Sequence, residues 1–146
     1  MNRKEFILTC GLACSGTATL AALLQSCGGA LYYAQATVVN NQIVIKKTEF
    51  TSVEETKTLE RKFILVKSEK FREPICIYKL SDGSYSALPM KCTHKGCELH
   101  PQGDYLMCPC HGSEFSNKGI VQNPPAQKNL QPYTITTDND SIYIRI

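Results

Sequence analysis

Two short segments constrain this chain more than any other part of it. Cys92-Thr93-His94-Lys95-Gly96-Cys97 and Cys108-Pro109-Cys110-His111-Gly112-Ser113-Glu114-Phe115 place four cysteines and two histidines within residues 92–115. One begins C-x-H, the other C-x-x-H, and each carries a further cysteine. Thiolate is soft and charged, whereas imidazole is neutral and harder. Each half therefore offers a mixed ligand pair, and a metal centre that uses both halves requires a fold that holds two loops side by side. Structural zinc sites with two cysteines and two histidines usually present C-x2-4-C followed by H-x3-5-H. Mixed halves and two extra cysteines do not fit that scheme. A plain disulfide framework leaves unexplained why both histidines stand at near-equivalent places in the two loops.

In this order, the residues resemble the disulfide-bearing branch of the Rieske iron–sulfur family. The likeness covers about residues 74–146, closely over 92–126 and loosely outside. It implies one [2Fe–2S] cluster per chain, with Cys92 and Cys108 on the inner iron and His94 and His111 on the outer iron. It also implies a disulfide between Cys97 and Cys110 that pins the loops. A bridge closing so short a ring contributes about 3 kcal/mol in the chain-entropy model. Two imidazoles in place of two thiolates raise the potential, to roughly −150 to +300 mV in such centres. The charge count gives the reason: two ferric irons, two sulfides and two thiolates sum to zero, so the added electron meets no prior negative charge.

The same resemblance assigns neighbours of the cluster. Ser113 matches a serine whose hydroxyl donates to a cluster sulfur, while Phe115 stands where high-potential members carry a tyrosine donor. Lys95 stands where quinol-oxidising members usually carry leucine, and a cation there favours an acidic partner over an apolar pocket. Gly119, Pro124, Pro125 and Ala126 match a proline-rich loop that shields the cluster. The implied role is a single-electron carrier, with the iron–sulfur subunit of a quinol:cytochrome c reductase-type complex as the leading form. A cytochrome b or c, another oxidoreductase subunit, or quinol would then be its redox partner. A small subunit of another exported oxidoreductase, of the arsenite oxidase kind, is the alternative, followed by a ferredoxin feeding an oxygenase. No substrate-pocket signature, nucleophile with a base, or mononuclear iron triad marks a stand-alone enzyme.

The first residues bear on location. Arg3 and Lys4 precede an apolar stretch, Phe6 to Leu24, as in a signal peptide. Leu24-Gln25-Ser26-Cys27 resembles the lipobox of bacterial lipoproteins, which makes 1–26 a leader, Cys27 a lipid site and 27–37 a tether. Asn2-Arg3-Lys4-Glu5-Phe6-Ile7 also resembles a twin-arginine signal with Lys at its second Arg. A retained anchor is the competing reading, but Thr9, Gly11, Ser15, Gly16, Thr17 and Thr19 make a poor membrane helix. The expected location is the outer face of the cytoplasmic membrane or the periplasm, lipid-anchored, where a disulfide persists. Cys10 and Cys14 leave with the leader, and Cys76 reads as a small buried hydrophobe. A net charge of +3 with no basic patch gives no support to a nucleic-acid partner.

The remainder, 38–146, reads as an all-β antiparallel sandwich, with a small cluster-binding subdomain inserted at about 89–126. Strands are expected at Val38–Val39, Ile43–Ile45, Phe63–Val66, Ile75–Leu80, Tyr85–Leu88, Asp104–Cys108, Tyr133–Thr136 and Ser141–Ile146, with turns at 40–42, 81–84 and 138–140. Ser52–Arg61 reads as a helix or a loop. Phe115→Tyr is expected to raise the reduction potential in protein-film voltammetry by adding a donor; an unchanged or lower value would count against that placement.

Overall fold

The structure is a computed structural model that describes residues 31–146 except 55, 56, 68, 70 and 71. The leader, Cys10, Cys14 and Cys27 lie outside the described residues.

The first hairpin pairs β1 (Ala36–Val39) with β2 (Gln42–Lys46) through Asn40 and Asn41, both at positive φ. Such a two-residue turn matches the right-handed twist of the strands, and asparagine tolerates the left-handed region. It is one residue tighter than expected, because Gln42 already pairs with Val39. A 3-10 turn (Lys47–Phe50) leads into β3 (Thr51–Glu54) and β4 (Lys57–Glu60), an antiparallel hairpin. This corrects the expectation of a helix or loop at 52–61. The charges there gave a helical look, but Thr51, Val53 and Thr58 suit extended backbone, and Val53 pairs with Thr58 at an exposed edge.

β5 (Phe63–Val66), β6 (Ile75–Lys79) and β7 (Tyr85–Pro89) form a three-stranded antiparallel sheet. β8 (His100–Gln102), β9 (Tyr105–Met107), β10 (Glu114–Ser116) and β11 (Val121–Asn123) form a second sheet, in the order β11-β10-β9-β8. β12 (Ile135–Thr137) and β13 (Ser141–Arg145) close a third around the first hairpin, in the order β1-β2-β13-β12.

The β5–β7 sheet lies between the other two. Side chains alternate faces along a strand, and here both faces are covered. Ile64, Val66, Ile75, Ile77 and Ala87 pack with Ile43, Ile45, Phe50, Ile142 and Ile144. Leu65, Cys76, Tyr78, Leu88 and Met90 pack with Leu99, Leu106, Phe115, Ala126 and Leu130. Burial on both faces explains why Phe63–Val66 and Ile75–Tyr78 are unbroken apolar runs rather than alternating ones. Cys76 is buried as expected, and desolvation pushes its thiol well above the ordinary value. Tyr78, raised mainly by burial, stays a donor and bonds the Tyr105 carbonyl at 2.9 Å, tying β6 to β9.

The packed body begins earlier than the sequence suggested. Tyr33 bridges Leu65 in parallel; the Leu65 N–H donates to the Tyr32 carbonyl at 2.9 Å and the Ala34 N–H to the Leu65 carbonyl at 2.8 Å. The Tyr32 hydroxyl donates to Glu49 Oε2 at 2.7 Å, and the Arg61 guanidinium lies 3.9 Å from the Tyr32 ring centroid. Residues 32–37, expected as part of a tether, are therefore held against the domain, because Tyr32 has both a carboxylate and a cation to meet.

Candidate metal centre

Two loops with the same backbone frame build the site. The first leaves the end of β7 and is closed at its base: the Leu99 N–H donates to Met90 at 3.0 Å, and Lys91 bridges Glu98. The second joins β9 to β10. In the first, the Cys92 N–H donates to the Cys97 carbonyl and the Gly96 N–H to the Cys92 carbonyl, both at 2.8 Å. In the second, the Cys108 N–H donates to the Ser113 carbonyl at 2.8 Å and the Gly112 N–H to the Cys108 carbonyl at 3.0 Å. Gly96 and Gly112 close these bonds at φ of 77° and 76°, where a side chain is strained. Cys92 and Cys108 thus occupy matching places in a repeated frame.

The frame sets the two candidate thiols beside each other and the two candidate imidazoles in ring contact. Cys92 and Cys108 are free thiols with 3% and 1% exposure. His94 and His111 are offset by one position relative to their cysteines, yet their rings meet edge-on with centroids 4.9 Å apart. His94 is half-buried and His111 exposed. Desolvation raises the Cys92 thiol above its ordinary value; the His94 N–H opposes this, the adjoining Cys108 thiol adds to it, and the Lys95 N–H opposes it more weakly. His94 Nδ1 is buried and has no hydrogen-bond partner. A buried imidazole nitrogen without a partner is costly, and a metal bond removes that cost. Two adjacent buried thiols, one orphaned imidazole nitrogen and a second imidazole beside it fit the donor set of a [2Fe–2S] group held by two cysteines and two histidines.

Cys97 and Cys110 form a disulfide, with Cα atoms 6.6 Å apart. The sulfurs of Cys97, Cys108 and Cys110 lie within 4.8 Å of one another, but the bridge leaves only Cys108 able to act as a thiolate. The bridge therefore packs against a candidate ligand while joining one loop to the other.

A third segment is bonded to both loops. The Ala126 N–H donates to Ser113 Oγ at 2.9 Å, inside the fold, which leaves the Ser113 proton available to another acceptor. Asn123 Nδ2 donates to the Gly112 carbonyl at 3.1 Å, and Thr93 Oγ1 donates to the Lys128 carbonyl at 2.6 Å. Pro124 and Pro125, joined by a cis peptide bond, sit between these anchors. Thr93 and Asn123 were not singled out by sequence reasoning; a hydroxyl between two ligand-type residues was the signal for Thr93. Gly119 accepts from the Leu130 N–H at 2.8 Å, four residues beyond Ala126. It turns the β10–β11 hairpin at φ 81°, and a Cβ there would lie 2.9 Å from Leu88 Cδ2 and 3.1 Å from the Leu130 carbonyl. Phe115 is fully buried in the shared core, Lys95 is exposed, and His100 is an exposed residue of β8.

Comparison with known proteins places these residues in context. The family model described as the Rieske [2Fe-2S] domain matches residues 40–134. The ubiquinol-cytochrome c reductase iron-sulfur subunit of Rickettsia felis is 48% identical over 52 residues, 32% of this chain and 29% of that protein. The cytochrome b6-f complex iron-sulfur subunit of Chlorobaculum tepidum is 32% identical over 66 residues, 44% of this chain and 36% of that protein. The matched stretch thus spans only about a third of either relative. Among solved structures, the cyanobacterial plasma membrane Rieske protein PetC3 from Synechocystis superposes with a TM-score of 0.52 at 27% identity, over 58% of this chain and 87% of that one.

Ser113→Ala strands the Ala126 N–H inside the fold. A loss of about 1–3 kcal/mol is expected, read as a lower denaturation midpoint; a midpoint equal to wild type would mean that the bond contributes nothing.

Proposed function

This chain belongs to the Rieske [2Fe-2S] domain family, and on that premise we propose that it carries single electrons outside the cytoplasm, with Cys92, His94, Cys108 and His111 as cluster ligands. What supports this is the buried His94 Nδ1 without a partner, in a loop that also carries the buried Cys92 thiol, with the His111 ring against its own. When bound, the cluster supplies one-electron redox chemistry at a potential raised by its two imidazole ligands.

The chain's own residues divide the remaining work. Buried Cys92 and Cys108 would hold the group on the side away from water, and half-buried His94 and exposed His111 would hold it on the side nearer solvent. The His94 and Lys95 N–H groups reach the Cys92 sulfur, and Ser113 keeps a free proton to donate. Donors of this kind stabilise added negative charge and raise a potential. Phe115 provides none. The Cys97–Cys110 bridge and the bonds to segment 123–128 hold both loops in place when the charge changes.

Within this reading, the leading form is the iron–sulfur subunit of a quinol:cytochrome c reductase-type complex, the role that the name of its Rickettsia felis relative describes. Exposed Lys95 favours the second reading, a small electron-transfer subunit of another exported oxidoreductase. The disulfide speaks against a cytoplasmic ferredoxin for an oxygenase. Lipid on Cys27 would hold the domain at the membrane, and because Tyr32 is already packed, only residues 28–31 remain as a tether.

Electron paramagnetic resonance after dithionite reduction is expected to give a low average g value, the mark of iron held by histidine; a silent sample that contains zinc would sink the proposal. Radiolabelled palmitate is expected to label the wild type and not Cys27→Ser, and equal labelling of both would mean that Cys27 carries no lipid.

A further inference from the structure

The three segments that meet at the cluster end of the molecule, 92–97, 108–113 and 123–129, contain no Asp or Glu. They carry two exposed lysines, Lys95 and Lys128. The Thr93–Lys128 hydrogen bond of 2.6 Å fixes the backbone of Lys128 to the loop of His94, so the two cations belong to one face. The remaining exposed positions are neutral or imidazole: Thr93, Pro109, Cys110, His111, Gly112, Asn123, Pro124 and Gln127 among them. On the flank of the first loop, Arg72, Lys91 and Lys95 line a recess together with Glu73 and Glu98. Lys91 pairs with Glu73 at 3.5 Å, and the three cations against two carboxylates leave the recess with a positive excess.

The turns that hold Asp82, Asp138 and Asp140 lie at the other end of the β5–β7 sheet, whereas Glu69 and Glu73, in the β5–β6 connection, stay at the loop end. The first loop leaves where Ile75 pairs with Pro89; the opposite end is where Lys79 pairs with Tyr85, next to the turn that holds Asp82. Tyr133 bridges Ala87 in antiparallel sense, so the chain runs from there toward that same end and the turn with Asp138 and Asp140. Lys47, which donates to the Asp138 carbonyl at 2.6 Å, also lies 5.9 Å from the Tyr85 ring centroid. The parallel bridge of Tyr33 to Leu65 brings the chain in from this end as well.

We propose that the three-loop face around His94 and His111 docks a soluble electron-transfer protein with a carboxylate-rich face, guided by Lys95 and Lys128. The proposal rests on the electron-carrier reading above, in its second form, a subunit of another exported oxidoreductase rather than of a quinol-oxidising complex. An apolar quinol pocket would have to strip water from Lys95 at the contact, which is costly without an anionic partner. Exposed cations ringing a redox group instead speed encounter with an anionic protein, an effect that salt screens over about 8–10 Å.

The test mixes the dithionite-reduced, cluster-loaded full chain in stopped flow with ferric cytochrome c in two forms: lysine-succinylated, hence acidic, and unmodified, hence basic. One electron passes from the reduced iron–sulfur group to the ferric haem in each case. The succinylated form is expected to react faster at low ionic strength, with a rate that falls as salt is added, and to slow about tenfold in the Lys95→Gln/Lys128→Gln double variant. The unmodified form should show the opposite salt trend. Lys128→Gln alone, whose backbone bond to Thr93 survives the change, separates steering from any change in potential, which voltammetry of each variant records. A salt-independent rate with the acidic form, or an unchanged rate in the double variant, overturns the docking proposal while the resonance signal of the cluster still stands. Loss of that signal in the wild type overturns the electron-carrier reading, and the docking face with it.

Discussion

Each strand of the β5–β7 sheet sends alternate side chains into two different cores, so one small sheet carries the packing on either side of it. In β6, Ile75 and Ile77 face the sheet of β2 and β13, while Cys76 and Tyr78 face β9 and β10. A slip of one residue would exchange the two sets and fit neither partner. The metal loops inherit their position from this register. β7 runs straight into the first loop through Met90, which bonds Leu99, and Tyr78 reaches across to β9, the strand that delivers the second.

Two loops of about six residues bury little apolar surface, so their rigidity comes from cross-links. The disulfide joins them directly, Thr93–Lys128 and Asn123–Gly112 tie each to the third segment, and Ser113–Ala126 makes the second tie internal and dry. The repeated frame from Cys92 to Cys97 and from Cys108 to Ser113 lets two dissimilar sequences present a thiol at the same place. Such a site is preorganised: few groups have to move when the charge on a bound metal group changes.

Much of this was legible in the chain. Short apolar runs at Phe63–Val66 and Ile75–Tyr78 marked strands, and Asn40-Asn41-Gln42 marked a hairpin. The Cys and His spacing singled out two thiols that the fold buries and two imidazoles that it sets in ring contact, and Cys76 read correctly as buried. Other parts were hidden for physical reasons. The β3–β4 hairpin is exposed and highly charged, so no alternation of burial advertised it. β8, β10 and β11 are only three residues long, below the length at which a period can be seen. Gly119 sits beside Pro124 and Pro125 in a family pattern, but its close approach to Leu88 and Leu130 depends on partners far away in sequence.

What the amino-acid sequence determined by itself was the chemistry. Ligand types and their spacing are local properties, and a thiol or an imidazole keeps its donor character wherever the chain takes it. Tertiary structure alone decided which groups lose water and which find a partner. It buried Cys92 and Cys108, left His111 outside, orphaned His94 Nδ1 and folded Tyr32 back against Glu49 and Arg61. Burial and pairing depend on residues distant in sequence, and only the packed sheets bring those residues into contact.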